Sequence, residues 1–366
     1  MSGKAQKPGV LMLGIIHHAH AEFDKLSELA DVTQVTSGSR DEFIKDCDSG
    51  KYNNIVAISR TYDSVKITGR FDAELISHLP PSVKFLSHNG AGYDQIDVQP
   101  CTERKISVSN TPTAVDAATA NTAIFLILGA LRRAWIPQLA LREGKWRGAS
   151  PLGRDPHHLT LGILGMGGIG TATAKRAAAL GFKLQYHNRK PVADLEKQFA
   201  GQNAPQYVSF HDLLRTSDVI SVHLPLGPAT QGLIGPKEFA QMKDGVVIVN
   251  TARGAIIDEQ SLADNLESGK VWSVGLDVFE KEPEINPKLV SHPGAVLLPH
   301  IGTATIDTQK EMEILVIDNV KSVITEGQHL TQVPEQKPVL LAKEQGNALE
   351  EGGSRPSTVL VKDEHK

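Results

Sequence analysis

Short apolar runs, separated by turn residues and helical stretches, organise this chain. In its first third they fall at residues 10–16, 55–59, 83–87 and 106–109. Each has the length of a strand, and the alternation with helical segments is the rhythm of an α/β sheet. Residues 116–142 then carry apolar side chains around much of their circumference (Ile124, Phe125, Leu126, Leu128, Leu131) and predict one long, buried connecting helix. A second series of six strands follows at 160–164, 182–187, 219–222, 246–249, 272–276 and 296–298, again in βα alternation. Residues 306–325 predict an amphipathic helix. From 333 to 366 the chain is polar, rich in Glu, Lys, Gly and Pro, and is expected to be a disordered tail.

Within the second series, the stretch LGILGMGGIG at 161–170 places Gly165, Gly167 and Gly170 directly after a strand and before an Ala-rich helical segment that ends at Gly181. A G-x-G-x-x-G run in that context is a dinucleotide loop: the first glycine makes a tight turn, the second admits a pyrophosphate, and the third lets the helix pack on the sheet. The helix N-terminus receives the negative charge, with Gly168 and Ile169 completing the loop. The architecture implied is two α/β domains with parallel sheets and a cleft between them, the glycine loop lying in the second.

Composition narrows the class. At 366 residues and 40% hydrophobic content the chain can bury more than one core. A net charge of −4 argues against a nucleic-acid surface. No run approaches the roughly 20 apolar residues of a membrane span, and the first ten residues lack the apolar core of a signal peptide, so a cytoplasmic protein without membrane partners is expected. Cys47 and Cys101 show neither metal-ligand spacing nor a disulfide framework and are taken as small hydrophobes; no metal is expected.

Ligands of open α/β sheets sit beyond the carboxyl ends of the strands. Strand 246–249 runs into Arg253, strand 272–276 into Asp277 with Glu282 in the next loop, and strand 296–298 into His300. A guanidinium offers a planar fork to a carboxylate, imidazole exchanges protons near neutral pH, and a neighbouring carboxylate favours the charged ring. Together they suit reduction of a 2-oxo acid: Arg253 binds the substrate carboxylate and polarises the carbonyl, His300 donates the proton, and Glu282 supports the imidazolium, with the hydride coming from a nicotinamide. The cluster His17, His18 and His20 is assigned no chemistry. Where an NAD site usually carries an acid, about 20 residues beyond the glycine loop, this chain reads Asn188-Arg189-Lys190. Two cations there suit the 2′-phosphate of NADP(H), the preferred cofactor, with NAD(H) as the alternative.

The stretches NTARG (250–254), GLDVFEKEP (275–283) and PHIGTAT (299–305), with the glycine loop, resemble the D-isomer-specific 2-hydroxyacid dehydrogenases. HNGAGYDQID (88–97) and NTPTAVDAATANTA (110–123) extend the resemblance toward the fungal glyoxylate/hydroxypyruvate reductases and yeast D-mandelate dehydrogenases. This resemblance implies catalytic roles for Arg253, Glu282 and His300, and amides of Ala91 and Gly92 as partners of the substrate carboxylate. It also implies Thr119 near the nicotinamide, Leu224, Pro225 and Thr251 lining the cofactor cleft, Asp277 at the carboxamide, and Gly302 among the cofactor-binding residues. It implies a flavodoxin-like substrate domain of residues 8–113 plus about 304–332, a Rossmann domain of 114–303, a homodimer, and a D-2-hydroxy acid product. Glyoxylate or hydroxypyruvate is the expected substrate, an aromatic 2-oxo acid the next, with Tyr93, Trp135 and Trp146 as candidates for setting pocket size. The alternative is a nicotinamide-sensing, corepressor-like scaffold of the same fold.

Overall fold

The computed structural model describes residues 7–148, 150–199 and 204–337. Five strands, β1 (Gly9–Leu13), β2 (Asp31–Val35), β3 (Ile55–Thr61), β4 (Phe85–Asn89) and β5 (Ser107–Ser109), form one parallel sheet in the order β2-β1-β3-β4-β5. Seven more, β6 (Thr160–Leu164), β7 (Lys183–His187), β8 (Gln206–Tyr207), β9 (Val219–Val222), β10 (Val246–Asn250), β11 (Val271–Leu276) and β12 (Ala295–Leu297), form a second parallel sheet in the order β12-β11-β10-β9-β6-β7-β8. The first is a flavodoxin-type order and the second a Rossmann order whose switch point falls between β6 and β9. Two strands carry no apolar run. β2, DVTQV, is a mostly exposed edge strand, and β8 adds two exposed residues beside β7.

The connecting helix expected over 116–142 is two helices, Asp116–Leu131 and Trp135–Arg142, bent by 76°. Pro137 explains the break, because its ring would strike the carbonyl of Arg133 in a continuous helix. Arg133 instead turns to φ 45°, donates from Nη2 to the Trp272 carbonyl (2.7 Å) and lies 4.1 Å over the Trp272 ring. The first of the two helices buries Leu126, Ile127, Ala130 and Leu131 with Leu161, Ile163, Val247 and Val249 of the second sheet. Among the described residues no single helix is long and apolar enough to cross a membrane.

Helix Ile306–Thr325, started by a Thr305 cap, lays Val316, Ile317, Val320 and Val323 against Val10, Met12 and Ala57 of the first sheet. Its buried Glu313 fastens the contact by accepting from the backbone amides of His17, His18 and Ala19, each at 2.8 Å; the three histidines of that segment are exposed. The tail expected to be disordered from 333 is ordered where it begins. Val333 and Gln336 are fully buried beside β5, the Val333 amide donating to Val108 O and the Gln336 side chain bonding Val108 N and Ile106 O. A polar side chain here satisfies an edge strand's backbone groups, which is why hydropathy alone does not reveal it. The remainder of that segment, 338–366, lies outside the described residues.

Candidate active site

The glycine loop leaves β6 at the switch point. Gly165 holds φ +101°, and a Cβ on it would fall 2.7 Å from the carbonyl oxygen of His223, just past β9. A Cβ on Gly170 would overlap the Gly165 carbonyl, whereas around Gly167 there is open space. Helix Gly168–Ala179 begins there without a side-chain cap, leaving amides for an anion. Asn188 accepts from the Met166 amide (2.7 Å), tying the end of β7 to the loop, while Arg189 and Lys190 stand exposed. Leu224 borders Gly165, with Pro225 next to it in the chain. Thr251 buries a hydroxyl that has no partner among the described residues. Open space, uncapped amides and this orphaned hydroxyl fit a bound dinucleotide.

Deeper in the cleft Thr119, Asp277 and Gly302 converge: a Cβ on Gly302 would lie 3.0 Å from Asp277 Oδ2 and 3.4 Å from Thr119 Cγ2. Asp277 accepts from the amides of Ile301 and Gly302, each at 2.7 Å. Burial raises its carboxyl above the usual range, against those two bonds.

Arg253 reaches the cleft from a loop shaped by Asn250, whose side chain donates to Arg253 O and accepts from Ala252 N, both at 2.9 Å. Only glycine fits at 254, because a Cβ would overlap the Phe279 backbone where the next loop passes. That second loop presents Glu282, which accepts from the Phe279 amide (3.0 Å) and from His300 Nδ1 (2.8 Å). Burial pushes the Glu282 carboxyl up, but the hydrogen bonds from His300 and Phe279 and the nearby charges outweigh it and hold it below its ordinary value. His300 takes a left-handed φ of 55°, its amide donating to Asp277 O (2.7 Å). With Nδ1 bound to Glu282, Nε2 has no protein partner among the described residues.

The first domain closes the other side. Arg253 Nε donates to Asp94 Oδ1 (2.9 Å), Nη1 donates to Ala252 O (2.8 Å), and Nη2 packs directly on Gly92, where a Cβ would overlap it. Behind the loop, Asn110 donates to Ala91 O (2.7 Å) and His88 bonds Gly92 O (3.0 Å). Burial and the Arg60 charge keep the His88 imidazole well below its usual range, so it is neutral with its proton on Nε2. Fixing the Ala91 carbonyl also fixes the planar peptide that carries the Gly92 amide. Neither the Ala91 nor the Gly92 amide has a protein partner among the described residues.

Arg253, Glu282, His300, Ala91 and Gly92 are thus brought to one place. Asp94 and Tyr62 join them although no motif singles them out: Asp94, bonded to Arg253, stands two residues after Gly92, and Tyr62, beside His300, follows the carboxyl end of β3. The pocket candidates do not meet there. The Tyr93 hydroxyl donates to Glu335 (2.8 Å), and Trp135 and Trp146 are exposed.

A sequence model described as "D-isomer specific 2-hydroxyacid dehydrogenase, NAD binding domain" matches residues 124–302. The chain is 52% identical to 4-methyl-2-oxopentanoate reductase A of Aspergillus oryzae over 91% of its own length and 99% of the relative's. Among solved structures it resembles a glyoxylate reductase from Paecilomyes thermophila (54% identity, TM-score 0.88, 90% of this chain and 99% of that one). It also resembles the holo D-mandelate dehydrogenase of Rhodotorula graminis (32% identity, TM-score 0.84, 90% and 98%). Near-complete coverage at such identity, over the two sheets and the cleft between them, shows that this chain is an oxidoreductase belonging to the D-isomer specific 2-hydroxyacid dehydrogenase family.

Proposed function

We propose that the protein reduces a small 2-oxo acid to the D-2-hydroxy acid, drawing on NADPH. The observation that carries this reading is the meeting of Arg253, the His300–Glu282 pair and the partnerless Ala91 and Gly92 amides across one cleft. The substrate carboxylate lies between those amides and Arg253, and Arg253 also polarises the carbonyl. His300 gives its Nε2 proton to the carbonyl oxygen as it becomes a hydroxyl, while Glu282 stabilises the imidazolium before the transfer and fixes its orientation. The nicotinamide, when bound, supplies the hydride. Gly165, Gly167, Gly168, Ile169 and Gly170 hold the pyrophosphate, Leu224, Pro225 and Thr251 line the cleft, and Thr119, Asp277 and Gly302 surround the ring. Preference for NADPH rests on Arg189 and Lys190, two exposed cations where an NAD site would carry an acid. Glyoxylate and hydroxypyruvate are the first substrates to test.

We also propose a cytoplasmic homodimer. Support for pairing is the run of exposed apolar side chains Phe125, Trp135, Leu139, Leu141, Trp146 and Leu152 on the bent helix pair and the segment after it. Light scattering after gel filtration checks it. The catalytic reading is tested by following NADPH and NADH oxidation at 340 nm with a panel of 2-oxo acids, beside His300→Ala. No oxidation with any of them, or an unchanged rate in the variant, sinks it. A higher kcat/KM for NADH than for NADPH sinks the cofactor preference alone.

A further inference from the structure

β3 delivers Arg60, Thr61 and Tyr62 to the cleft side of the first sheet. Arg60 is fully buried and has no carboxylate partner among the described residues. Its Nε donates to Ser64 Oγ (3.1 Å) and one Nη to Gln95 Oε1 (2.7 Å), while the other Nη has no partner among the described residues. Burial draws its pKa down to about 10. An unneutralised buried guanidinium is costly to keep, and what it holds is Gln95. Close by, the Tyr62 ring stands in a T-shaped arrangement with the His300 imidazole, 5.9 Å between centroids and 63° between planes, while 42% of its surface remains open.

This arrangement limits where a substrate can extend. A 2-oxo acid has three groups in one plane around its carbonyl carbon. On the reading above, which this inference rests on, the oxygen lies between Arg253 and His300 and the carboxylate on the Gly92 side of Arg253. The remaining substituent then points toward the His300 side, where Tyr62 stands. We infer that Tyr62 is a specificity-determining residue whose ring, set beside His300, walls the substituent end of the pocket and favours short 2-oxo acids over branched or aromatic ones.

The test uses the full chain with NADPH and compares kcat/KM for glyoxylate, 4-methyl-2-oxopentanoate and phenylglyoxylate. Tyr62→Ala is expected to raise the ratio of either bulky substrate to glyoxylate by about tenfold or more, the scale on which pocket volume discriminates. Tyr62→Phe keeps the ring and leaves the ratio within about threefold of wild type. Should Tyr62→Ala lose its cooperative melt, Tyr62→Leu is read by the same ratio and in the same direction. An unchanged ratio in the folded truncation, or a shift in Tyr62→Phe as large as that in Tyr62→Ala, overturns the inference while wild-type activity leaves the parent reading standing. Wild type inactive toward every 2-oxo acid would overturn both.

Discussion

Gly92→Ala tests the cleft with a single methyl group. Gly92 does not occupy the left-handed region, so alanine carries no left-handed backbone penalty there, and the three atoms nearest the added Cβ all belong to Arg253. It would fall 2.7 Å from Arg253 Cζ, where carbon atoms pack at about 3.5–4.0 Å, so the guanidinium has to withdraw by about 1 Å. Withdrawal strains the 2.9 Å bond from Nε to Asp94 and shifts Nη2 away from the Ala91 and Gly92 amides. A displacement of about 1 Å at a group that must align a reacting carbonyl costs on the order of 100-fold in rate, or about 2.7 kcal/mol. We therefore expect kcat/KM for glyoxylate to fall about 100-fold. NADPH affinity, measured by fluorescence titration, should stay within about threefold, since the cofactor residues lie on other loops. The melting temperature should hardly change. An alanine variant with kcat/KM within threefold of wild type would refute the placement of Arg253 against this loop as the substrate site.

Three further perturbations separate the parts. Glu282→Gln preserves the shape of the His300 partner but not its charge, and should lower kcat about 100-fold while NADPH binding is retained; a loss of less than threefold would remove Glu282 from the mechanism. Arg189→Ala should lower kcat/KM for NADPH about tenfold and leave that for NADH nearly unchanged, because one charge-assisted contact to a 2′-phosphate is lost. An equal fall with both cofactors would count against that contact. His88 is neutral in the fold, whereas the unfolded chain protonates it below about pH 6.5, so the unfolded state binds more protons as pH falls and stability drops by up to about 2 kcal/mol between pH 7 and 5. His88→Gln, which cannot titrate, should lose less stability over that interval in urea unfolding at the two pH values; an equal loss contradicts a buried neutral imidazole.

What could be read from the sequence follows from what is local. Strand ends and the glycine loop are contiguous segments, so Arg253, Glu282 and His300 were visible as candidates from the second series of strands alone. The helix break was legible in Pro137 but hidden by the continuous apolar pattern around it, and β2 escaped because an exposed edge strand carries no apolar run. Tyr62, Gln95 and Arg60 are a different case. Their arrangement is tertiary, with Arg60 reaching Gln95 across 35 positions and Tyr62 meeting a histidine of the other domain. No periodicity encodes such a contact. Val333 and Gln336 escape a hydropathy reading for the converse reason, since a polar segment can be ordered by completing backbone hydrogen bonds of a sheet edge rather than by burying an apolar face.

The division of the Arg253 guanidinium among its neighbours bears on what the cleft can accept. Nε is taken by Asp94 and one Nη1 proton by the Ala252 carbonyl, while Nη2 lies against Gly92. With its Nε–H taken, Arg253 has lost the Nε edge for pairing with a carboxylate, and a two-pronged contact has to use its Nη1/Nη2 end. On the proposed reading the anion also meets the Ala91 and Gly92 amides, and those belong to the first domain while Arg253 belongs to the second. A 2-oxo acid bridges the two domains through its carboxylate and so draws the proton donor and the polarising cation onto its carbonyl. A simple aldehyde of the same size lacks the bridging group and gains only the weaker half of these contacts. Acetaldehyde should accordingly be reduced with a kcat/KM at least about 100-fold below that of glyoxylate, as expected where buried polar donors are left unpaired. Comparable rates would mean that the carboxylate is not what the cleft recognises.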